Sequence, residues 1–249
     1  ESTMKLTKNK ITTLVARHSA LLLLACSVNA ATFQWTNTAA TASFVDPNNW
    51  TNTASPFDNG TPVAGDTAIN SIEGAAAVIT DGDVVTVATA DAAAGEIRII
   101  GGELNATSLR SVGSNALVSI SGGVANLANF QITGNYGKIS VSGGYTTVTT
   151  DSRVAAGNTT WDVSGGVLNL SKHTIGSSSA NNTNNIMTVS GDAQVTQNQG
   201  TGGGAARELW IGGNNGGSGT LILKDNASWI SSAANGNTDV IIGRAASGS

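Results

Sequence analysis

Residues 118–134 read VSISGGVANLANFQITG. Val118 and Ile120 alternate with Ser119, a Ser-Gly-Gly bend follows, and a second run leads away from it with Ala125 and Leu127 as its apolar pair. The phrase returns as ISVSGGYTTV at 139–148 and as WDVSGGVLNL at 161–170. Strict alternation marks a strand with one buried face. Gly-Gly marks a bend. A strand–bend–strand unit that recurs at a nearly fixed period is the signature of a repeat architecture.

The copies align on the first residue after the apolar–polar–apolar–polar run: Gly101, Gly122, Gly143, Gly165 and Gly191, with Asp225 in the same place last. The intervals are 21, 21, 22, 26 and 34 residues. Two positions before each anchor stand Ile99, Ile120, Val141, Val163, Val189 and Leu223. Four positions before stand Ile97, Val118, Ile139, Trp161, Met187 and Leu221. All are apolar, and the residues between them are mostly polar, so each copy opens on a strand of period two.

A second strand follows each bend. Its apolar pair is Leu104/Ala106, Ala125/Leu127, Thr146/Val148 and Leu168/Leu170 in the first four copies. In the last two it comes one residue sooner, as Ala193/Val195 and Ala227/Trp229, where Asp192 and Asn226 replace the second glycine. A turn shortened by one residue is expected there, because a one-residue slip moves every side chain to the other face. A third segment ends each copy on glycine: RSVG, QITG, VAAG, HTIG, LWIG, VIIG.

Three short strands in about 21 residues predict one coil of a right-handed parallel β-helix, a β-solenoid. Strands of successive coils then stack at about 4.8 Å. The Ile/Val/Leu column becomes a continuous core that no single coil can form alone. The glycines are expected at corners, where a positive φ costs them least. SSSANNTNN (177–185) and NQGTGGGAARE (198–208) are insertions that bulge from one side. A sandwich of hairpins also uses Gly-Gly turns, but has no reason to repeat the pattern at constant spacing. Residues 95–249 are therefore read as repeats, and 31–94 as an N-terminal cap and entry coil. Trp35, Phe44 and Trp50 suit a plug over the first coil, and AAVITDGDVVTVAT reads as the entry coil.

The order Trp35, DPNNW (46–50), Pro62, GDTAIN (65–70) and then SGG-type coils resembles the leading part of bacterial autotransporter-like β-helix proteins. Some exported proteins of this kind end in a PEP-CTERM sorting tail. The resemblance implies an exported surface protein and brings no catalytic motif with it.

Met4 to Ala30 carries Lys5, Lys8, Lys10 and Arg17, then an apolar run, then Val28-Asn29-Ala30, the layout of an export signal cut after Ala30. Leu23-Leu24-Ala25-Cys26 also resembles a lipobox, which makes a lipid-anchored Cys26 the alternative. The run is too short for a spanning helix. The sequence stops at GRAASGS within the repeat pattern, so truncation before the true C-terminus is expected. Charged residues are 11% and the formal charge is −4. Loss of the leader removes four cations and Glu1, leaving the chain more acidic. No basic stripe remains to meet phosphates, so nucleic acid is not an expected partner. The single cysteine lies in the leader, so no disulfide framework is expected.

The polar residues are the candidates for chemistry. Asp192 and Asp225 share one corner of adjacent coils, and Asp162 sits at a different offset; a water-exposed polar turn is the plain reading. Lys224 and Arg244 have no spacing that ties them to that corner. His173 is the only histidine after the leader and is read as a solvent-facing strand residue. Asp81 and Asp83 form a lone DGD turn, a weak ion signal. GGGAARELWIGGNNGGSG lacks the Lys-Ser/Thr ending of a phosphate loop. Trp210 and Trp229 are candidates for a sugar-stacking surface, although Trp229 falls in the inward register. No Thr-x-Thr ladder recurs at one offset, which speaks against an ice-binding face. No catalytic, cofactor-binding or metal-ligating residue is assigned. The expected function is that of an exported structural or adhesive solenoid without catalytic activity, with extracellular polysaccharide or cell-surface components as partners. A polysaccharide-binding or polysaccharide-cleaving β-helix, the latter built on clustered carboxylates, is the alternative.

Overall fold

A computed structural model describes residues 30–55, 59–176, 183–199, 208–212, 217–233 and 239–242. The leader before Ala30 with Cys26, most of both insertions, and Arg244 lie outside the described residues. The rest is a parallel β-solenoid. Among the described residues an eight-stranded sheet and a thirteen-stranded sheet run along it, and nearly every pairing is parallel.

One coil shows the path. Leu117–Ile120 lies in the shorter sheet, Ser121–Gly123 turns the corner, and Val124–Ile132 runs along the longer sheet. A second corner then leads to Lys138–Val141, which pairs with Leu117–Ile120 in register. The burial of Leu117–Ile120 alternates half-buried and buried, as period two requires.

Ile99, Ile120, Val141, Val163, Val189 and Leu223 stand opposite one another in one column. Ile97, Val118, Ile139, Trp161, Met187 and Leu221 form the column beside it. All are buried down to Val189 and Met187, whereas Leu223 is 49% exposed. Each fully buried Val or Ile contributes about 1.5–3 kcal/mol over its exposed state. The column therefore contributes to cohesion between every pair of coils down to Val189.

Both glycines of a corner are closely approached by the neighbouring coil, and the second has a positive φ as well. In SGG the second glycine carries the positive φ: Gly102, Gly123, Gly144 and Gly166. The first glycine does not. It lies where a Cβ would sit 2.4 Å from the carbonyl oxygen of Ile100 at Gly122, or 2.4 Å from that of Ser121 at Gly143. Gly101 and Gly165 are similarly crowded. Corners were expected to need glycine for backbone freedom at the anchor; in these four coils the anchor needs it for close approach.

The last two corners differ from expectation. Val195 stands opposite Leu168, and Trp229 opposite Val195. The turn between the two strands is thus one residue longer there, not shorter. Gly191 and Asp225 adopt the positive φ, and Ser190 O accepts from Ala193 N at 3.2 Å to close a wider turn. Ala193, expected opposite Leu168, instead fills the inside of that turn and is fully buried.

The head of the stack is built from the DPNNW segment. Thr32–Trp35 pairs in parallel with Thr67–Asn70 and antiparallel with Trp50–Asn52, which places Trp35 opposite Trp50. Their rings lie edge to face at 4.8 Å, and the Trp50 indole N–H donates to Phe44 O at 2.6 Å. The Asp46 carboxylate accepts from Asn48 N at 2.9 Å and caps the short 3-10 turn Pro47–Asn49. Buried Asn49 then donates to Ser43 O at 2.7 Å. The antiparallel strand covers a sheet edge that would otherwise offer unpaired backbone groups. Residues before 95 already follow the stack, since Ile79 stands opposite Ile99 and Val85 opposite Leu104.

Candidate functional site

The sequence candidates do not converge. The Asp225 carboxylate accepts from Gly191 N at 3.2 Å, while Asp192 accepts from the Asn226 amide at 3.3 Å. Both carboxylates are exposed and tie one corner to the next. Asp162 is exposed and paired in register with Ser140 and Thr188 on another face. Asp83 accepts from the backbone N–H and the hydroxyl of Thr80 within its own turn, and Asp81 lies over Gly101. Among the described residues no group of three or more His, Cys, Asp or Glu is placed to hold a metal ion.

His173 is not on the surface. It is fully buried, in the inward column Leu109, Phe130, Ser152, His173, Leu209, which passes from the second half of the long strands to the separate short strands His173–Ile175 and Glu208–Ile211. Its Nδ1 is 2.8 Å from Ser152 Oγ and its Nε2 is 3.1 Å from Met187 Sδ. Trp161 and Trp229 flank the ring at 5.0 and 5.6 Å. Loss of hydration holds its pKa down to about 3, so the ring is neutral at any ordinary pH. The third segment of each coil carries inward residues as different as Ala90, Phe130 and His173, which hides its register in the sequence.

Trp210 and Trp229 are also separated. Trp229 packs against the core, while Trp210 stands in an outward register opposite Thr174 with Lys172 Nζ 5.4 Å from its ring centroid. Farther along the same row the outward residues carry charge. Asp91 and Arg110 form a two-pronged pair at 2.7 and 2.7 Å, and the hydrogen bonds to Asp91 hold the guanidinium pKa above its usual value. Gln131 donates to Asp151 at 3.1 Å, and Arg153 lies 3.3 Å from the same carboxylate.

On the shorter sheet, a cleft of about 380 Å³ is lined by Ser43, Val78, Thr80, Arg98 and Ile100 among others. Its cation is already committed. Arg98 binds Glu96 through two nitrogens at 2.9 and 2.5 Å, and Ser119 donates to the same carboxylate.

The first half of each long strand presents a different surface. Thr86, Asn105, Asn126, Thr147, Asn169 and Thr196 stand opposite one another, one per coil, between the inward residues. Beside them run Val84, Glu103, Val124, Tyr145 and Val167, also in register. Val84 is 67% and Tyr145 46% exposed. Asn126 donates to Glu103 and Asn105, both at 3.0 Å, and Asn169 donates to the Tyr145 hydroxyl at 2.6 Å. At the head of this face a cleft of about 230 Å³ is bordered by Pro62, Val63, Val84 and Thr86. The ladder was readable at the position between the second-strand pair, as Asn105 between Leu104 and Ala106. Its members do not form a Thr-x-Thr pattern, so residue identity does not mark it.

Comparison with protein-family models, with curated proteins and with solved structures finds no match to this chain.

Proposed function

We propose that the protein is an exported adhesive β-solenoid that presents a regular side-chain surface outside the cell and carries out no catalysis. The observation that carries this reading is the outward Thr/Asn ladder beside Val124, Tyr145 and Val167, held in register by one continuous core. A rigid, repeating, mixed polar and apolar face suits attachment over a large area. Its carboxamides and hydroxyls donate and accept without titrating near neutral pH. The leader-like segment from Met4 to Ala30 supports the exported location. No helix among the described residues is long and apolar enough to cross a membrane.

The test expresses the full chain in a bacterial host. Intact-mass measurement of the exported protein should show cleavage after Ala30, and exported protein should increase cell attachment to a coated surface. Retention of the intact chain inside the cell, or attachment unchanged by expression, would refute the reading.

A further inference from the structure

The geometry points to a ligand for the ladder: a neutral, linear polysaccharide laid along the solenoid axis over Asn105, Asn126, Thr147 and Asn169, with Tyr145 stacked on a sugar ring. This rests on the adhesive reading and names its partner.

Spacing is the first argument. Coils repeat every ~4.8 Å, close to the length of one pyranose unit in an extended β-linked chain. Successive sugars therefore meet successive rungs. The second argument is chemical. A carboxamide supplies two donors and an acceptor, and a threonine hydroxyl supplies both roles. Sugar hydroxyls require that mixture. Val124, Tyr145 and Val167 supply the apolar strip that the C–H face of a sugar needs, and a tyrosine ring combines an apolar body with a polar tip.

The rungs are also held in advance. Asn126 is tied to both Asn105 and Glu103, and Asn169 to Tyr145. Less side-chain freedom is then lost on binding. Charge selects the class. Among the outward residues of the five rungs from Thr86 to Asn169 only Glu103 is charged, whereas the neighbouring half of the same strands carries Asp91, Arg110, Asp151 and Arg153. An acidic polymer finds no cation on the ladder. The cleft at Pro62, Val63, Val84 and Thr86 closes the head of the face and seats a chain end. The irregular mixture of Thr and Asn, with Tyr beside it, is poorly suited to an ordered water lattice.

Native gel electrophoresis of the full chain tests this, with hydroxyethylcellulose, galactomannan or xylan cast in the gel and polygalacturonate as the acidic counterpart. Retardation by at least one neutral polymer is expected. Tyr145→Ala and Asn126→Ala should each weaken it about three- to tenfold, Tyr145→Phe should keep most of it, and Ser140→Ala on the other sheet should leave it unchanged. Thermal unfolding of each variant separates loss of binding from loss of fold. Absence of retardation by every neutral polymer, retardation by polygalacturonate alone, or equal retardation of folded wild type, Tyr145→Ala and Asn126→Ala would each overturn the assignment. Reshaped ice crystals without glycan retardation would give the face to water and overturn it too. Cell attachment that persists without glycan binding defeats only this assignment; glycan binding by a protein that stays inside the cell defeats only the adhesive reading.

Discussion

His173 lies edge-on to Trp161, with ring centroids 5.0 Å apart and planes at 82°. A titratable ring is thus wrapped in indole, thioether and hydroxyl inside a mostly apolar stack. Its folded pKa of about 3 lies below the ordinary histidine value of 6.5. The unfolded chain therefore binds a proton that the folded chain refuses. Stability from this residue is complete above pH 6.5 and is lost as pH falls from there toward 3, by about 1.4 kcal/mol per pH unit at most. Urea titrations between pH 7 and 4 should show a shallower acid decline in His173→Phe than in wild type. Parallel pH curves would refute the assignment.

Thr146 occupies a core position between Ala125 and Leu168, and its buried hydroxyl has no hydrogen-bond partner. Thr146→Val keeps the shape and removes the unsatisfied group. A gain of about 1 kcal/mol is expected, read as a higher denaturant midpoint at unchanged slope.

Corner glycines and an open-turn glycine should fail differently. Gly143→Ala drives a Cβ to 2.4 Å from Ser121 O, and Gly144→Ala drives one to 2.7 Å from Gly123 O, so each forces two coils apart. Gly82→Asn only places an ordinary residue at φ 85° with nothing within 4 Å, in a region that asparagine tolerates. The corner variants should each cost about 2 kcal/mol or more and Gly82→Asn about 1 kcal/mol or less. Equal losses in thermal unfolding would show that close approach is not what the corner glycines serve.

Tyr136 has φ 61° at the corner position that Asn115, Asn158 and Asn184 take in other coils. A bulky side chain there costs roughly 1–2 kcal/mol, and the ring is 54% exposed, so little burial compensates. Tyr136→Asn should raise the melting temperature. A lower one would mean that the ring makes a contact worth more than the strain.

Much of this architecture was legible because the shorter sheet repeats its pattern from Ile99 to Val189. Ile99, Ile120, Val141, Val163 and Val189 each follow a polar residue and precede a corner, so period two reads directly. The third segment was not legible. Its inward column runs from Ala90 through Phe130 to His173, and no single residue class marks it. His173 looked like a surface residue because a polar type at an unassigned register defaults to solvent. The last two corners misled for a related reason. Ala193 and Val195 both look like strand residues, and only the pairing of Val195 with Leu168 shows that Ala193 belongs to a longer turn. The ladder stands four residues after the anchor from Asn105 to Asn169, but its members vary between Thr and Asn and Thr196 comes one residue later, so no identity betrayed it.

The in-register columns also decide how such a chain can change by inheritance. Ile120 meets Ile99 on one side and Val141 on the other through equivalent surfaces. Excision of 21 residues beginning in one corner and ending in the next leaves every remaining strand with a fitting neighbour. Excision of a single residue within a strand turns its inward side chains to water. For this molecule the larger edit is the gentler one, and whole coils are the natural unit in which its length can be gained or lost.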